Sequence, residues 1–93
     1  MRHYYAIAER GLHGWFMTFP GAPGHSFAGK AEQIVPQGQD WLATAAMGDG
    51  DLPRSIEDGA RPPTDLSDFE PPVMVVVIPF EPRRRRGKPP DDD

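Results

Sequence analysis

The sequence contains no cysteine, which excludes a disulfide framework and any thiolate metal site. It also lacks a long apolar run. The longest, VMVVVIPF at residues 73–80, is far shorter than the roughly 20 residues that span a bilayer as a helix. The opening MRHYYAIAERG mixes aromatic and charged groups and holds no apolar segment of signal-peptide length. The expectation is therefore a protein that stays in the cytoplasm and makes no use of a membrane.

What is present is one small acidic body and a differently charged end. At 93 residues the chain has room for a single domain, whose stability depends on one sheet being well covered. The net charge of −4 is unevenly spread, because residues 83–93 carry +2 and residues 1–82 carry −6. Such a body repels nucleic acid and attracts a basic partner. The segment RRRRGKPPDDD has no apolar residue and is expected to be a disordered charged tail, 83–93, following a domain of residues 1–82.

Local patterns in the body alternate between strands and Pro/Gly turns. HYYAIAER places Tyr5 and Ile7 on one face and Tyr4, Ala6 and Ala8 on the other, a strand pattern. GLHG then has turn composition, and WFMTF alternates Trp15, Met17 and Phe19 against Phe16 and Thr18, so the two runs predict an antiparallel hairpin. Pro20 ends the second strand, PGAPG reverses the chain, and HSFAG is short but able to pair as a third. Ile34, Val35, Gly38, Leu42, Ala45 and Ala46 recur at helical spacing within residues 31–47. Pro36 and Gly38 weaken the first half, so the firm part of that helix is expected at 37–47, with Gly48 and Pro53 as stop signals. In the Pro/Asp-rich connection that follows, Ser55 and Asp58 are placed to cap a short turn anchored by Ile56, Leu66 and Phe69. VMVVVIPF is apolar on both faces, which reads as a strand covered on both sides and paired in parallel with the first. The expected fold is thus α+β: a three-stranded antiparallel meander, one helix packed on the sheet, and a final strand parallel to strand one. That β-β-β-α-β order is a partial ribonuclease H-like arrangement with a right-handed crossover through the helix.

Catalytic chemistry finds little support in these residues. Ribonuclease H-like enzymes hold divalent metal with carboxylates on neighbouring strands, but here the first strand has no acid before Glu9 and the last has none between Val73 and Phe80. His3, His13 and His25 lack the short paired spacing of zinc ligands. Ser26 follows His25 but has no nucleophile elbow around it. FAGKAEQ has one glycine before its lysine but neither the second glycine nor the hydroxyl of a phosphate loop. No cofactor, metal or catalytic residue is expected. Trp15 and Trp41, each with an apolar ring and a polar N–H, can serve either core or interface.

The stretch RHYYAIAERGLHGWFMTFPGAPGHSFAGKAEQ resembles the start of HicB-family antitoxins: a hairpin ending in Phe19-Pro20, a turn at Pro23-Gly24, and Gly29 introducing the helix. The later GDGDLPRSIEDGARPPTDLSDFEPPVMVVVIPFE is also similar to that family, so the likeness covers about residues 2–82. It implies a degenerate ribonuclease H-like domain without nuclease activity that covers the active site of a small basic RNA-cleaving toxin of the HicA type. Two departures stand out. Lys30 and Ala31 replace the usual acid and hydroxyl residue before the helix, and Pro36 intrudes into its first half. In addition, RRRRGKPPDDD stands where relatives commonly continue into a helix-turn-helix or ribbon-helix-helix domain, so direct DNA binding is not expected from this chain alone.

Two functional expectations result. In the first, the chain is a non-catalytic toxin-neutralising module with Glu9, Trp15, Glu32, Asp40 and Trp41 as partner-binding residues, and a homodimer through an unpaired strand edge is possible. In the alternative, an orphan HicB-like domain binds RNA or another protein through Arg83, Arg84, Arg85 and Arg86.

Overall fold

The computed structural model describes residues 1–47 and 52–81. Gly48 and the arginine tail, with the expectations attached to them, lie outside the described residues. The chain is α+β, with strands β1 (Arg2–Arg10), β2 (Trp15–Thr18) and β3 (Ser26–Ala28), a 3₁₀ turn at Ala31–Gln33, helix α1 (Ile34–Met47) and strand β4 (Val73–Phe80). The four strands form one sheet in the order β3-β2-β1-β4. Ala8 pairs with Met17, Trp15 with Ala28, and Tyr4 with Ile78.

All three pairings are antiparallel, including β1 with β4. The parallel final strand expected from the sequence is therefore not formed, and neither is the crossover that would have produced it. The cause lies in the connection after α1. It first docks at the start of β1, where the Ile56 N–H donates to the His3 carbonyl at 2.7 Å. It then reaches the other end of β1, where the Glu70 N–H donates to Glu9 Oε2 at 2.8 Å. Strand β4 consequently begins opposite Glu9 and runs back toward Arg2.

The core lies between α1 and one face of the sheet. Period-two alternation puts Tyr4, Ala6 and Ala8 of β1 with Met17, Ala28 and Ile78 on that face, all buried, and Phe19 joins them just past β2. From the helix, Ile34, Gly38 and Leu42 recur every four residues and are buried. Each fully buried Leu or Ile contributes about 1.5–3 kcal/mol of hydrophobic stabilisation.

Gly38 sets how closely the two layers meet. A Cβ built there would lie 3.0 Å from Ile78 Cδ1, 3.2 Å from Cγ1 and 3.3 Å from Cγ2. The glycine that weakens the helix as a propensity is a point where the helix backbone closely approaches the Ile78 side chain of the sheet.

The start of the helix resolves the problem raised by Lys30 and Pro36. A lysine ammonium has no acceptor to offer a free helix N–H, but the Gln33 side chain reaches back and accepts from the Lys30 N–H at 3.2 Å. The Ile34 N–H donates to the Ala31 carbonyl, forming a 3₁₀ lead-in. Pro36 then falls in the first turn of α1, where a missing N–H forfeits no intrahelical bond. The helix therefore begins at Ile34, three residues before the expected firm part.

Candidate functional site

Helix α1 covers one face of the sheet, so function is to be sought on the other face and on the free edges. The second face carries His3, Tyr5, Ile7 and Glu9 of β1, Phe16 and Thr18 of β2, Phe27 of β3, and Val73, Val75 and Val77 of β4, as the registers require. The connection spans its middle. Ala60 and Arg61 stand beside Tyr5 in a shared cleft, Glu70 is bonded to Glu9, and Ile7 between those points is only 5 % exposed.

The crossing leaves two apolar strips open. On the β2–β3 side, Phe16 and Phe27 are each 42 % exposed and meet edge to face with centroids 5.2 Å apart. The His25 ring packs on Phe16 in the same manner at 5.9 Å. On the β4 side, Val75 is 37 % and Val77 44 % exposed. Aromatic pairs left open in this way bury large area at low entropic cost when a partner arrives.

The start of β1 is held by an ionic clamp rather than by a strand. Beyond Ile7, β1 has no partner on the β2 side, and the turn after Ser55 takes that place. The His3 N–H donates to Glu57 Oε1 at 2.8 Å, and His3 Nδ1 meets Glu57 Oε2 at 2.6 Å. Arg2 donates to Asp58 Oδ2 at 2.6 Å and to the buried Ser55 hydroxyl at 3.2 Å. The Ser55 hydroxyl in turn donates to Asp58 and accepts from its N–H, so the capped turn expected from the sequence is present. The His3 hydrogen bonds lower the Glu57 carboxyl to about 2, and Arg2, then Ser55, hold Asp58 below its usual range.

The five residues expected to bind a partner do not share one surface. Glu9 lies on the face away from the helix, half-buried and already bonded to the Glu70 N–H. Trp15, one residue from Phe16, points to the helix side, where it packs against the core. Trp41 is half-buried and stacks on Phe19, with centroids 4.6 Å apart and planes at 12°. Glu32 in the 3₁₀ turn and Asp40 on α1 are exposed, with no ion pair among the described residues.

Sequence reasoning missed Phe16 and Phe27 as exposed groups. The signal was available in the alternation, since both stand opposite the buried Met17 and Ala28, but it does not say which face a helix will cover.

The other groups considered for chemistry have local partners or stand apart. Ser26 Oγ donates to the Gln37 carbonyl at 3.4 Å, tying β3 to α1. Among the described residues, no three His, Asp or Glu side chains converge where they could hold a metal ion. No helix among them is long and apolar enough to cross a membrane. The cleft beside Tyr5 has a volume of ≈ 360 Å³ and is lined by Pro20, Pro53, Arg54 and Arg61 among others. No protein-family model matches the chain, and neither does any curated protein or solved structure.

Proposed function

We propose that the chain is a non-catalytic, HicB-like antitoxin module of the cytoplasm that binds a small basic RNA-cleaving toxin and covers its active site. The observation that carries this reading is the open Phe16–Phe27 pair on an acidic body. Residues 1–82 have a net charge of −6, which draws a basic partner in by long-range attraction. The two rings, each 42 % exposed, supply the short-range contact that charge alone does not give. The similarity of residues 2–82 to HicB antitoxins names the toxin class. Glu32 and Asp40, exposed and free of ion pairs among the described residues, act as rim charges. Trp41 and Glu9 serve mainly to hold the fold.

The test is calorimetric titration of the full chain with the product of the small open reading frame beside its gene, inactivated at its catalytic histidine. Tight 1:1 binding that weakens modestly with salt is expected. Phe27→Ala should lower affinity at least about tenfold, the usual loss at an aromatic anchor. Absence of heat with a folded, basic toxin would overturn the reading. Binding that disappears when residues 83–93 are deleted, and that falls steeply with salt, would favour recognition through Arg83–Arg86 instead.

A further inference from the structure

Strand β4 is an edge strand, and its free side has an unusual pattern. The Arg10 N–H donates to the Pro72 carbonyl. In the antiparallel register this directs the even-numbered residues Met74, Val76, Ile78 and Phe80 toward β1. The N–H and C=O groups of Val73, Val75 and Val77 therefore point away from the sheet, along with the C=O of Pro79. The Pro79 carbonyl is already taken, accepting from Gln39 Nε2 at 2.7 Å. Among the described residues, the open edge is thus the main chain of Val73, Val75 and Val77, bounded by Pro71 and Pro79, which stand symmetrically about Val75 and donate nothing.

We infer that this edge pairs with the same edge of a second copy, antiparallel, about a two-fold axis through Val75. In that register Val75 faces its own counterpart and Val73 faces Val77, so every free N–H and C=O of the three valines finds a partner. Pro79 falls opposite Pro71, where neither strand has a donor to lose. Shifting the register by two residues places a proline opposite a valine and leaves either the Val77 carbonyl without a donor or the Val73 N–H competing with Gln39. A two-fold contact is self-complementary in this way by construction, and a foreign strand would have no need of proline at both ends.

The side chains agree with the main chain. Edges that must stay single are commonly blunted by lysine, other charges or proline; β4 has no charged residue from Val73 to Phe80, and its prolines stand outside the three valines rather than among them. It is therefore a stretch where two acidic bodies can meet without like charges in register. Pairing would set Val75 beside Val75 and Val77 beside Val73 of the second copy on one face, and on the helix side the exposed Met74 beside its Val76. At about 3.4 Å per residue the paired segment Val73–Val77 is roughly 17 Å long, a contact at the small end of specific interfaces, so the dimer should dissociate at micromolar concentration or above.

Sedimentation velocity of the full chain, without toxin, tests this over a range of concentrations. The wild-type chain should shift from monomer to dimer as concentration rises. Val75→Lys and Val75→Glu, each at a part-exposed position compatible with the fold, should each remain monomeric with unchanged circular dichroism. Mixing the two should restore the dimer, because the two-fold places the substituted positions face to face. A wild-type chain that stays monomeric throughout, or single variants that dimerise as the wild type does, would overturn the inference. A wild-type dimer whose two variants are monomeric and stay monomeric when mixed would equally overturn the register. Neither result depends on whether the chain binds a toxin.

Discussion

Replacing Gly38 should reverse the usual effect of removing a glycine from a helix. In an exposed helix interior, Gly→Ala stabilises by about 1 kcal/mol, because glycine has the most backbone entropy to lose. At position 38 the added Cβ would meet three carbons of Ile78 at 3.0, 3.2 and 3.3 Å. Ile78 is fully buried against Tyr4 and the helix, and its branched Cβ restricts the rotation that would move those carbons aside. Overpacking of this kind costs about 1–3 kcal/mol, so Gly38→Ala should be neutral to destabilising by about 2 kcal/mol. Ile78→Val removes Cδ1, the nearest of the three carbons, at a cost of about 0.5–1.5 kcal/mol. In that background Gly38→Ala should be stabilising, with a coupling between the sites of about 1 kcal/mol or more. Urea unfolding of the four proteins of this cycle, followed by tryptophan fluorescence, gives the sign directly. A Gly38→Ala variant about 1 kcal/mol more stable than wild type in both backgrounds would refute the claim that Gly38 sets the helix–sheet distance.

Three further outcomes follow from the same geometry. The Glu57 carboxyl is held at about 2, below its ordinary 4.5, chiefly by the His3 side chain, so the stability it contributes is present above pH ~4.5 and is lost as pH falls toward 2. Hydrogen exchange at the Ile56 amide should accelerate over that window, and Glu57→Gln should flatten the acid dependence. Trp41→Ala should lower stability by about 2–4 kcal/mol through loss of the stack on Phe19, whereas Trp41→Phe should retain most of it, as thermal unfolding would report. Glu9→Ala removes the acceptor of the Glu70 N–H and should cost about 1 kcal/mol, with faster exchange at that amide and unchanged protection in β2.

The strands and the helix were legible because their signals are local. Tyr4, Ala6 and Ala8 alternate with Tyr5 and Ile7, Pro20 stops β2, and the stripe of Ile34, Gly38 and Leu42 has helical spacing. The helix starts earlier than a breaker at Pro36 would allow, because the turn that Gln33 stabilises ahead of it leaves the proline in a position without an N–H to lose. The direction of β4 could not be read in the same manner. It is decided by bonds between residues far apart in sequence, Ile56 to His3 and Glu70 to Glu9, and no periodicity within VMVVVIPF records where the preceding connection has travelled. The candidate site was less legible still. Glu9 and the two tryptophans are conspicuous as residue types, yet their side chains are engaged in the fold, while Phe16 and Phe27 are left open because α1 packs on the opposite face, which no local pattern encodes.

The apolar character of β4 on both faces still requires a physical account. The helix side has one in Ile78, Val76 and Phe80, which are buried in the core or packed against it. The other side does not: Val75 and Val77 remain 37 % and 44 % exposed, and threonine or lysine at either place would serve a solitary edge strand better. The sequence pattern indicates cover on both sides, and the single chain provides it on one. The proposed second β4 would give these valines cross-strand neighbours without any rearrangement, since the prolines already limit the register and no charge has to be removed. The same step would separate the two proposed surfaces of the protein, with self-association at β4 and the Phe16–Phe27 strip, across β1 from it, left open for a partner of opposite charge.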